Sequence, residues 1–170
     1  MNLSGVEDRQ YVLNDSAHPA IDSAIYRSAL PYREQLEKQM KEVLCTSAVA
    51  MEKGTPDGAL GNFVADVCLE MGNRRLNESG IGSNLTADVV ILNNGGLRRP
   101  IPAGPVCLGD FYEVMPFENQ LVVLTCNGRL LQQICEFIAS KGGTPVSGMG
   151  FIIGVTNDKP LKVNIKGLPL

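Results

Sequence analysis

The sequence predicts an α+β domain in which a mixed β-sheet is flanked by helices. Segments with helical periodicity alternate with short apolar segments, and the last two apolar segments have the pattern of a closing hairpin. The 170 residues are 44% hydrophobic and 19% charged, which is typical of one globular domain. We expect that domain over residues 19–170, after a polar tail over residues 1–18.

The N-terminal half predicts two helices and a strand. Apolar residues recur at helical spacing from Pro19 to Val43, and Pro31 is expected to kink or divide that helix. The segment VLCTSAVAM then alternates as a strand does. A second amphipathic helix follows the turn-rich EKGTPDG, with these apolar residues on one face: Leu60, Phe63, Val64, Val67, Cys68 and Met71.

Two apolar segments in the middle of the chain predict strands. ADVVILN contains four consecutive apolar residues, which favours a fully buried strand. QLVVLTC predicts another strand. The Pro- and Gly-rich segment between them leaves room for one short helical turn, around Gly109 to Val114.

The end of the chain predicts a helix and a hairpin. RLLQQICEFIAS has apolar residues on one helical face. MGFIIGV and LKVNIKG are expected to pair as strands around a turn at TNDKP.

The charge and hydropathy of the chain exclude several classes of protein. A net charge of −3 and a pI near 5.2 argue against a general nucleic-acid-binding surface. No apolar run reaches the roughly 18 residues of a membrane-spanning helix. The N-terminus also lacks the apolar core of a signal peptide.

Histidine and cysteine usage argues against a metal site in this chain. His18 is the only histidine, whereas a two-metal hydrolytic site needs several histidines and carboxylates. We therefore expect no catalytic residues and no metal ligands here, and an exposed or capping His18. The odd number of cysteines and the absence of C-x-x-C predict buried free thiols at Cys45, Cys68, Cys107, Cys126 and Cys135.

Two polar loops could carry chemistry. In NNGGLRR, the glycines would let backbone N–H groups approach an anion and Arg98 offers a planar fork, although the residues alone favour a tight turn with solvated arginines. In MPFENQ, Phe117 could stack a base or sugar, or anchor the loop in the core. The nearby acids are candidate acid/base groups or metal ligands, or ordinary surface charge: Asp110, Glu113 and Glu118.

Three motifs together resemble one known family. GALGNFVAD, VILNNGGLRRPIPAGPVCLGDFYEVMPFENQLVVL and GGTPVSGMGF, in this order and spacing, resemble the C-terminal domain of the 5'-nucleotidase / UDP-sugar hydrolase family, from about Leu36 to the end. The likeness is greatest to the short form of Bacteroides-like bacteria, in which this domain stands beside a separate metallophosphatase. It implies an exported, periplasmic or envelope protein that binds an AMP-like nucleotide or nucleoside. Divalent metals and hydrolysis in nucleotide catabolism would belong to the metallophosphatase partner, and this chain would need no cofactor.

The resemblance also implies roles for single residues. The phosphate or ribose would be held by Asn93, Gly95, Gly96 and Arg98. The base would be held by Phe117 and Asn119. Asn94 and Glu118 stand where the family has glycine, and a carboxylate at position 118 is expected to alter base preference or crowd a phosphate.

Two departures from the family leave other functions open. Lys53 is the only cation near the place of a phosphate-gripping arginine, where Thr55 stands. The family continues beyond Leu170 into a strand and a loop with a second stacking aromatic, so a truncated domain is expected. The alternatives are an interaction module without a ligand, or a stand-alone phosphohydrolase that uses Asp110 and Glu113 with a divalent ion.

Overall fold

The computed structural model describes residues 23–80, 85–154 and 160–170, and the chain divides into two units, 1–39 and 40–170. In the first unit the described residues form helix α1, Ser23–Met40, whose last residue belongs to the second unit. Pro31 lies inside α1, so it removes one helical hydrogen bond without dividing the helix. The predicted tail and His18 lie outside the described residues.

The second unit combines three helices with seven short strands within its described residues. These elements are β1 (Val43–Ser47), α2 (Ala59–Ser79), β2 (Val90–Ile91), a 3₁₀ turn (Asn94–Gly96), β3 (Gly104–Cys107), α3 (Leu108–Val114), α4 (Gly128–Ser140), β4 (Val146–Ser147), β5 (Met149–Ile153), β6 (Pro160–Ile165) and β7 (Leu168–Pro169). The α+β class is confirmed, and so are the amphipathic helix α2, the short helix α3 and the helix α4.

The strands are distributed over three small antiparallel sheets in the described residues. β1 pairs with β3, β2 pairs with β4, and β5, β6 and β7 form the third sheet. The predicted closing hairpin is confirmed, with Phe151 opposite Val163. The strands therefore do not join into the single mixed sheet that the sequence suggested.

Strand β3 lies in the segment whose proline and glycine content predicted a loop. It pairs with β1 alone, and Pro105 stands opposite Thr46. A proline is tolerated there because a strand with one neighbour does not need every N–H for pairing. A bridge between Met51 and Ile101 extends the contact beyond the two strands.

Two strand predictions need correction. In ADVVILN only the two residues of β2, Val90 and Ile91, form a strand. β2 pairs with β4 alone among the described strands. Ile91 is exposed because no second sheet packs on it in the described part of the chain. QLVVLTC contains no strand at all, and the side chains of its Leu121 to Leu124 are exposed. Strand propensity describes a fit to a half-buried sheet, and these residues lack a neighbouring strand among the described elements.

A small apolar core lies directly beneath the NNGGLRR loop. Its buried members come from α2, from the chain between β2 and β3, from β3 and from α3: Leu60, Leu97, Ile101, Val106 and Val114. Full burial of one such side chain contributes about 1.5–3 kcal/mol. Leu97 stands between the glycine turn and Arg98, so the core fixes the loop from below.

Candidate functional site

The NNGG segment folds into a closed 3₁₀ turn. Asn93 is extended and caps the turn, and its Oδ1 accepts a hydrogen bond from the Gly95 amide at 2.9 Å. Its carbonyl oxygen accepts from the Gly96 amide at 3.1 Å. Both amides are therefore engaged within the turn, so in this conformation they cannot serve an anion as the sequence suggested.

Asn94 fastens this turn to the GGTP loop. Its Nδ2 donates to the carbonyl oxygen of Gly143 at 3.0 Å, while its Oδ1 is buried and has no hydrogen-bond partner among the described residues. Gly143 has φ +106°, and a Cβ there would lie 2.7 Å from the Cα of Pro56. Only glycine therefore fits between the turn and the loop that contains Pro56.

The two adjacent arginines have different surroundings. The backbone N–H of Arg98 donates to the Val114 carbonyl at 2.7 Å, while its exposed guanidinium has no hydrogen bond or ion pair with any described residue. Arg99 forms an ion pair with Glu113. Arg98 is therefore the arginine whose donors are not engaged by other described residues, and its role in ligand binding stays a prediction.

Lys53 brings a second cation to the same turn. Its Nζ donates to the Leu97 carbonyl at 3.3 Å, although the two residues are 44 positions apart. The sequence marked Lys53 only as the nearest basic residue to a position where relatives have arginine. Its approach to the turn depends on the fold of the EKGTPDG loop, for which local sequence gives no signal.

The MPFEN segment forms a compact exposed loop. The N–H of Phe117 donates to the Met115 carbonyl at 2.8 Å, and the N–H of Asn119 donates to the Phe117 carbonyl at 2.9 Å. These two successive γ-turns of three residues each hold Phe117 at the tip, where 52% of its surface is exposed. A core anchor is therefore excluded, and stacking on a base stays a prediction.

The structure brings these two segments together. A Cβ on Gly96 would lie 3.9 Å from Met115 Sδ and 4.0 Å from Asn119 Nδ2. The hydrogen bond from Arg98 to Val114 joins the same two segments through their backbones. The residues predicted to hold the phosphate and those predicted to hold the base therefore belong to two segments that are neighbours in space.

The acidic candidates are mostly occupied. Asp110 Oδ2 accepts from the Cys107 amide at 2.7 Å and caps α3, and Glu113 pairs with Arg99. Glu118 has no partner among the described residues. No group of three or more histidine, cysteine or acidic side chains that could hold a metal comes together in the described residues.

The thiols are all free but only partly buried. Cys135 is buried, Cys68 and Cys107 are half-buried, and Cys45 and Cys126 are exposed, which corrects the expectation of five buried thiols. Burial raises the pKa of the Cys68 and Cys135 thiols, because a thiolate is poorly solvated there.

One partly buried polar contact was missed by sequence reasoning. Ser147 on β4 donates to Asp66 on α2 at 2.5 Å, and Ser147 is buried. The contact fixes β4 against α2, and β4 in turn pairs with β2, which leads into the NNGG turn. The only sequence signal was an acid among apolar positions of a helix.

Comparisons with known proteins agree on one family. Residues 38–163 match the family model described as 5'-nucleotidase, C-terminal domain. The chain is 31% identical over 128 residues to Endonuclease YhcR of Bacillus subtilis (strain 168), a match that covers 73% of this chain and 9% of that protein. It is 24% identical over 174 residues to a 5'-nucleotidase of Vibrio parahaemolyticus serotype O3:K6 (strain RIMD 2210633), covering 97% of this chain and 28% of that one.

Solved structures show the same fold. The 5'-nucleotidase precursor from Thermus thermophilus aligns with a TM-score of 0.63 and 24% identity, over 85% of this chain and 29% of that one. The chain thus spans less than a third of the length of these relatives. Within the described residues, no helix has both the length and the apolar character needed to cross a membrane.

Proposed function

This chain belongs to the family of 5'-nucleotidase C-terminal domains, and from that premise we propose that it recognises the nucleotide in a 5'-nucleotidase-type system. One observation supports the proposal: the turn that precedes the unpaired Arg98 packs against the loop that presents the exposed Phe117, in the described part of the chain. An anion donor set and an aromatic platform side by side match the two chemically different ends of a nucleotide.

Arg98 and Lys53 would bind the phosphate. The guanidinium of Arg98 would make two parallel hydrogen bonds to phosphate oxygens, and Lys53 would add a second positive charge next to Leu97. The backbone of Gly95 and Gly96 shapes the turn, and its amides would reach a phosphate only if Asn93 released them.

Phe117 and Asn119 would bind the base. A base stacked on an exposed aromatic ring gains about 1–3 kcal/mol, whichever base it is. The Asn119 side chain offers both a donor and an acceptor to the base edge, and it lies against Gly96. Asn93 would meet the ribose, since its Nδ2 remains available while its Oδ1 holds the turn.

Hydrolysis would be done by a metallophosphatase and not by this domain. We assign divalent metals and bond cleavage to a separate metallophosphatase outside the cytoplasm, acting on nucleotides or UDP-sugars. Two relatives are named for phosphoester chemistry, the Vibrio 5'-nucleotidase and the trifunctional nucleotide phosphoesterase YfkN of Bacillus subtilis (strain 168), and the chain covers 28% and 7% of them.

Calorimetric titration of AMP and adenosine tests the phosphate role. Arg98→Ala should weaken AMP binding about 10- to 100-fold, the equivalent of one or two charge-assisted hydrogen bonds, and should change adenosine binding little. Arg99→Ala is the matched control, because Arg99 is paired with Glu113, and it should leave both affinities nearly unchanged.

The same titration separates the alternatives. Equal AMP binding by wild type and Arg98→Ala would contradict the role of Arg98. If the folded wild type binds neither AMP nor adenosine, the interaction module becomes the better description. Phosphate release from AMP by the pure chain with Mn²⁺ or Zn²⁺ would instead support a stand-alone hydrolase.

A further inference from the structure

Contacts between segments that are far apart in the sequence close a ring around the glycine turn. Asn94 Nδ2 donates to the Gly143 carbonyl at 3.0 Å. Gly143 is in backbone contact with Pro56, since a Cβ on Gly143 would lie 2.7 Å from the Pro56 Cα. From the same loop as Pro56, Lys53 Nζ donates to the Leu97 carbonyl at 3.3 Å. Leu97 ends the turn that Asn94 begins, so the ring is closed.

The loop that contains Lys53 and Pro56 is tight enough to transmit a displacement. A Cβ on Gly54 would lie 2.3 Å from the Asp57 carbonyl oxygen. A Cβ on Gly58 would lie 2.3 Å from the Gly54 nitrogen. Backbone therefore meets backbone across the loop, with no room for a side chain between the two arms. A shift of Pro56 would for that reason also displace Lys53.

The side chain of Asn94 is poorly explained by stability alone. Its Oδ1 is buried and has no hydrogen-bond partner among the described residues. Burying an unpaired acceptor costs at least as much free energy as one neutral hydrogen bond contributes, and an alanine or a glycine would avoid that cost. The hydrogen bond from Nδ2 to Gly143 is therefore better explained by what it positions than by a net gain in stability.

We propose that Asn94 is a positioning residue for the phosphate site: acting through the GGTP loop, it keeps the Lys53 ammonium at the Leu97 carbonyl. The inference rests on the proposed function, in which Lys53 and Arg98 share the phosphate. The Leu97 carbonyl belongs to the same peptide bond as the Arg98 N–H, so this contact brings Lys53 to the backbone of Arg98. A cation that is already held in place loses less conformational freedom when a phosphate binds, and the affinity is higher for that reason.

A double-mutant cycle, with calorimetric titration of AMP and adenosine, tests this role. Lys53→Met and Asn94→Ala should each weaken AMP binding about three- to tenfold, a typical effect of one charge in a partly exposed site. Neither substitution should change adenosine binding appreciably. Because Asn94 acts through Lys53, Asn94→Ala should weaken AMP binding by no more than about twofold further when Lys53 is already replaced by methionine.

A second measurement needs no nucleotide. Trace acetylation with acetic anhydride, followed by mass spectrometry, should modify Lys53 about twofold faster or more in Asn94→Ala than in wild type, because the amine is freed from its hydrogen bond. Lys162 on β6 is the internal reference, and its rate should not change. Asn127→Ala is the control in both measurements. It removes a comparable side-chain hydrogen bond, the one from the Leu130 N–H at 2.9 Å, and should leave AMP affinity and the Lys53 rate unchanged.

The two measurements separate the possible failures. Unchanged AMP affinity in Asn94→Ala overturns the positioning role, and so does an equal loss of AMP and adenosine affinity, which a general loss of structure would produce. Losses that multiply in the double variant, or an unchanged acetylation rate, would show that Asn94 does not act through Lys53. A wild type that binds neither ligand contradicts the proposed function instead, and the acetylation rate then decides whether Asn94 holds Lys53.

Circular dichroism checks the fold of each variant. If Asn94→Ala is unfolded, Asn94→Gly removes the same hydrogen bond and is taken through both measurements with the same expected results.

Discussion

Side-chain partners decide which residues of the candidate site can act. Two arginines and three acids stand within 21 positions of one another, and the fold removes most of them from consideration. Arg99 pairs with Glu113, and Asp110 caps a helix. Arg98 and Glu118 remain without a partner among the described residues, one next to the glycine turn and the other next to Phe117. The site therefore combines an available cation with an available anion.

Glu118 should oppose phosphate binding. Replacing it with glutamine removes one negative charge near the ligand, so Glu118→Gln should tighten AMP binding by about two- to fivefold, a typical effect of one exposed charge. Adenosine affinity should change less, because the nucleoside is neutral. Calorimetry at low and high salt measures both affinities, and salt should reduce the difference.

Glu70→Gln on α2, where Glu70 forms an exposed ion pair with Arg74, is the control for the loss of one negative charge. The expectation fails if Glu118→Gln changes AMP and adenosine affinity equally. An equal change would mean that Glu118 acts on the base, which is the other effect expected from its place in the family motif.

At the scale of elements, the helices could be predicted and several strands could not. The apolar residues of α2 and α4 recur at helical spacing, because one side of each helix packs against other elements. β3 was not predicted because it contains Pro105, and prolines are rare in strands except in edge strands. β3 pairs with β1. QLVVLTC misled in the opposite direction because a strand also needs a partner, and local sequence does not show one.

The candidate site was predictable as two separate motifs but not as a surface. The residue types in NNGGLRR and MPFEN indicated an anion-binding loop and an exposed aromatic. Their contact through Gly96 and Asn119 depends on long-range packing, as does the approach of Lys53. Family resemblance supplied the pairing of the two motifs, which periodicity and composition could not.

The GGTP loop supports the turn, and Gly143→Ala tests this support. Its positive φ and the closeness of Pro56 should make this substitution cost about 2–4 kcal/mol of unfolding free energy and weaken AMP binding. Gly142→Ala is the matched control: its φ is +79°, yet nothing lies within 4 Å of the added Cβ among the described residues. Urea denaturation should therefore show the smaller loss for Gly142→Ala. Equal losses would mean that backbone conformation, rather than contact with Pro56, makes glycine necessary.

At the scale of the whole molecule, much of the described surface is apolar while the core is small. Only ten described hydrophobic residues are buried, among them Leu60, Cys135 and Ala139. A chain with so little buried surface has a narrow margin of stability. Ligand binding would add stability by mass action. A condition that disturbs even one buried group should then measurably lower the free energy of unfolding.

High pH should be such a condition, because burial raises the pKa of the Cys68 and Cys135 thiols. In the unfolded chain these thiols lose their protons around pH 8.5, whereas in the folded chain they keep them to higher pH. Protonation therefore stabilises the fold fully below about pH 8, and this stabilisation is lost as pH rises through the folded pKa. Urea denaturation at about pH 7, 8, 9 and 10 should show falling stability. In Cys68→Ala/Cys135→Ala, which is less stable throughout because it loses packing, the fall should be shallower. Parallel curves for the two proteins would show that other groups cause the decline.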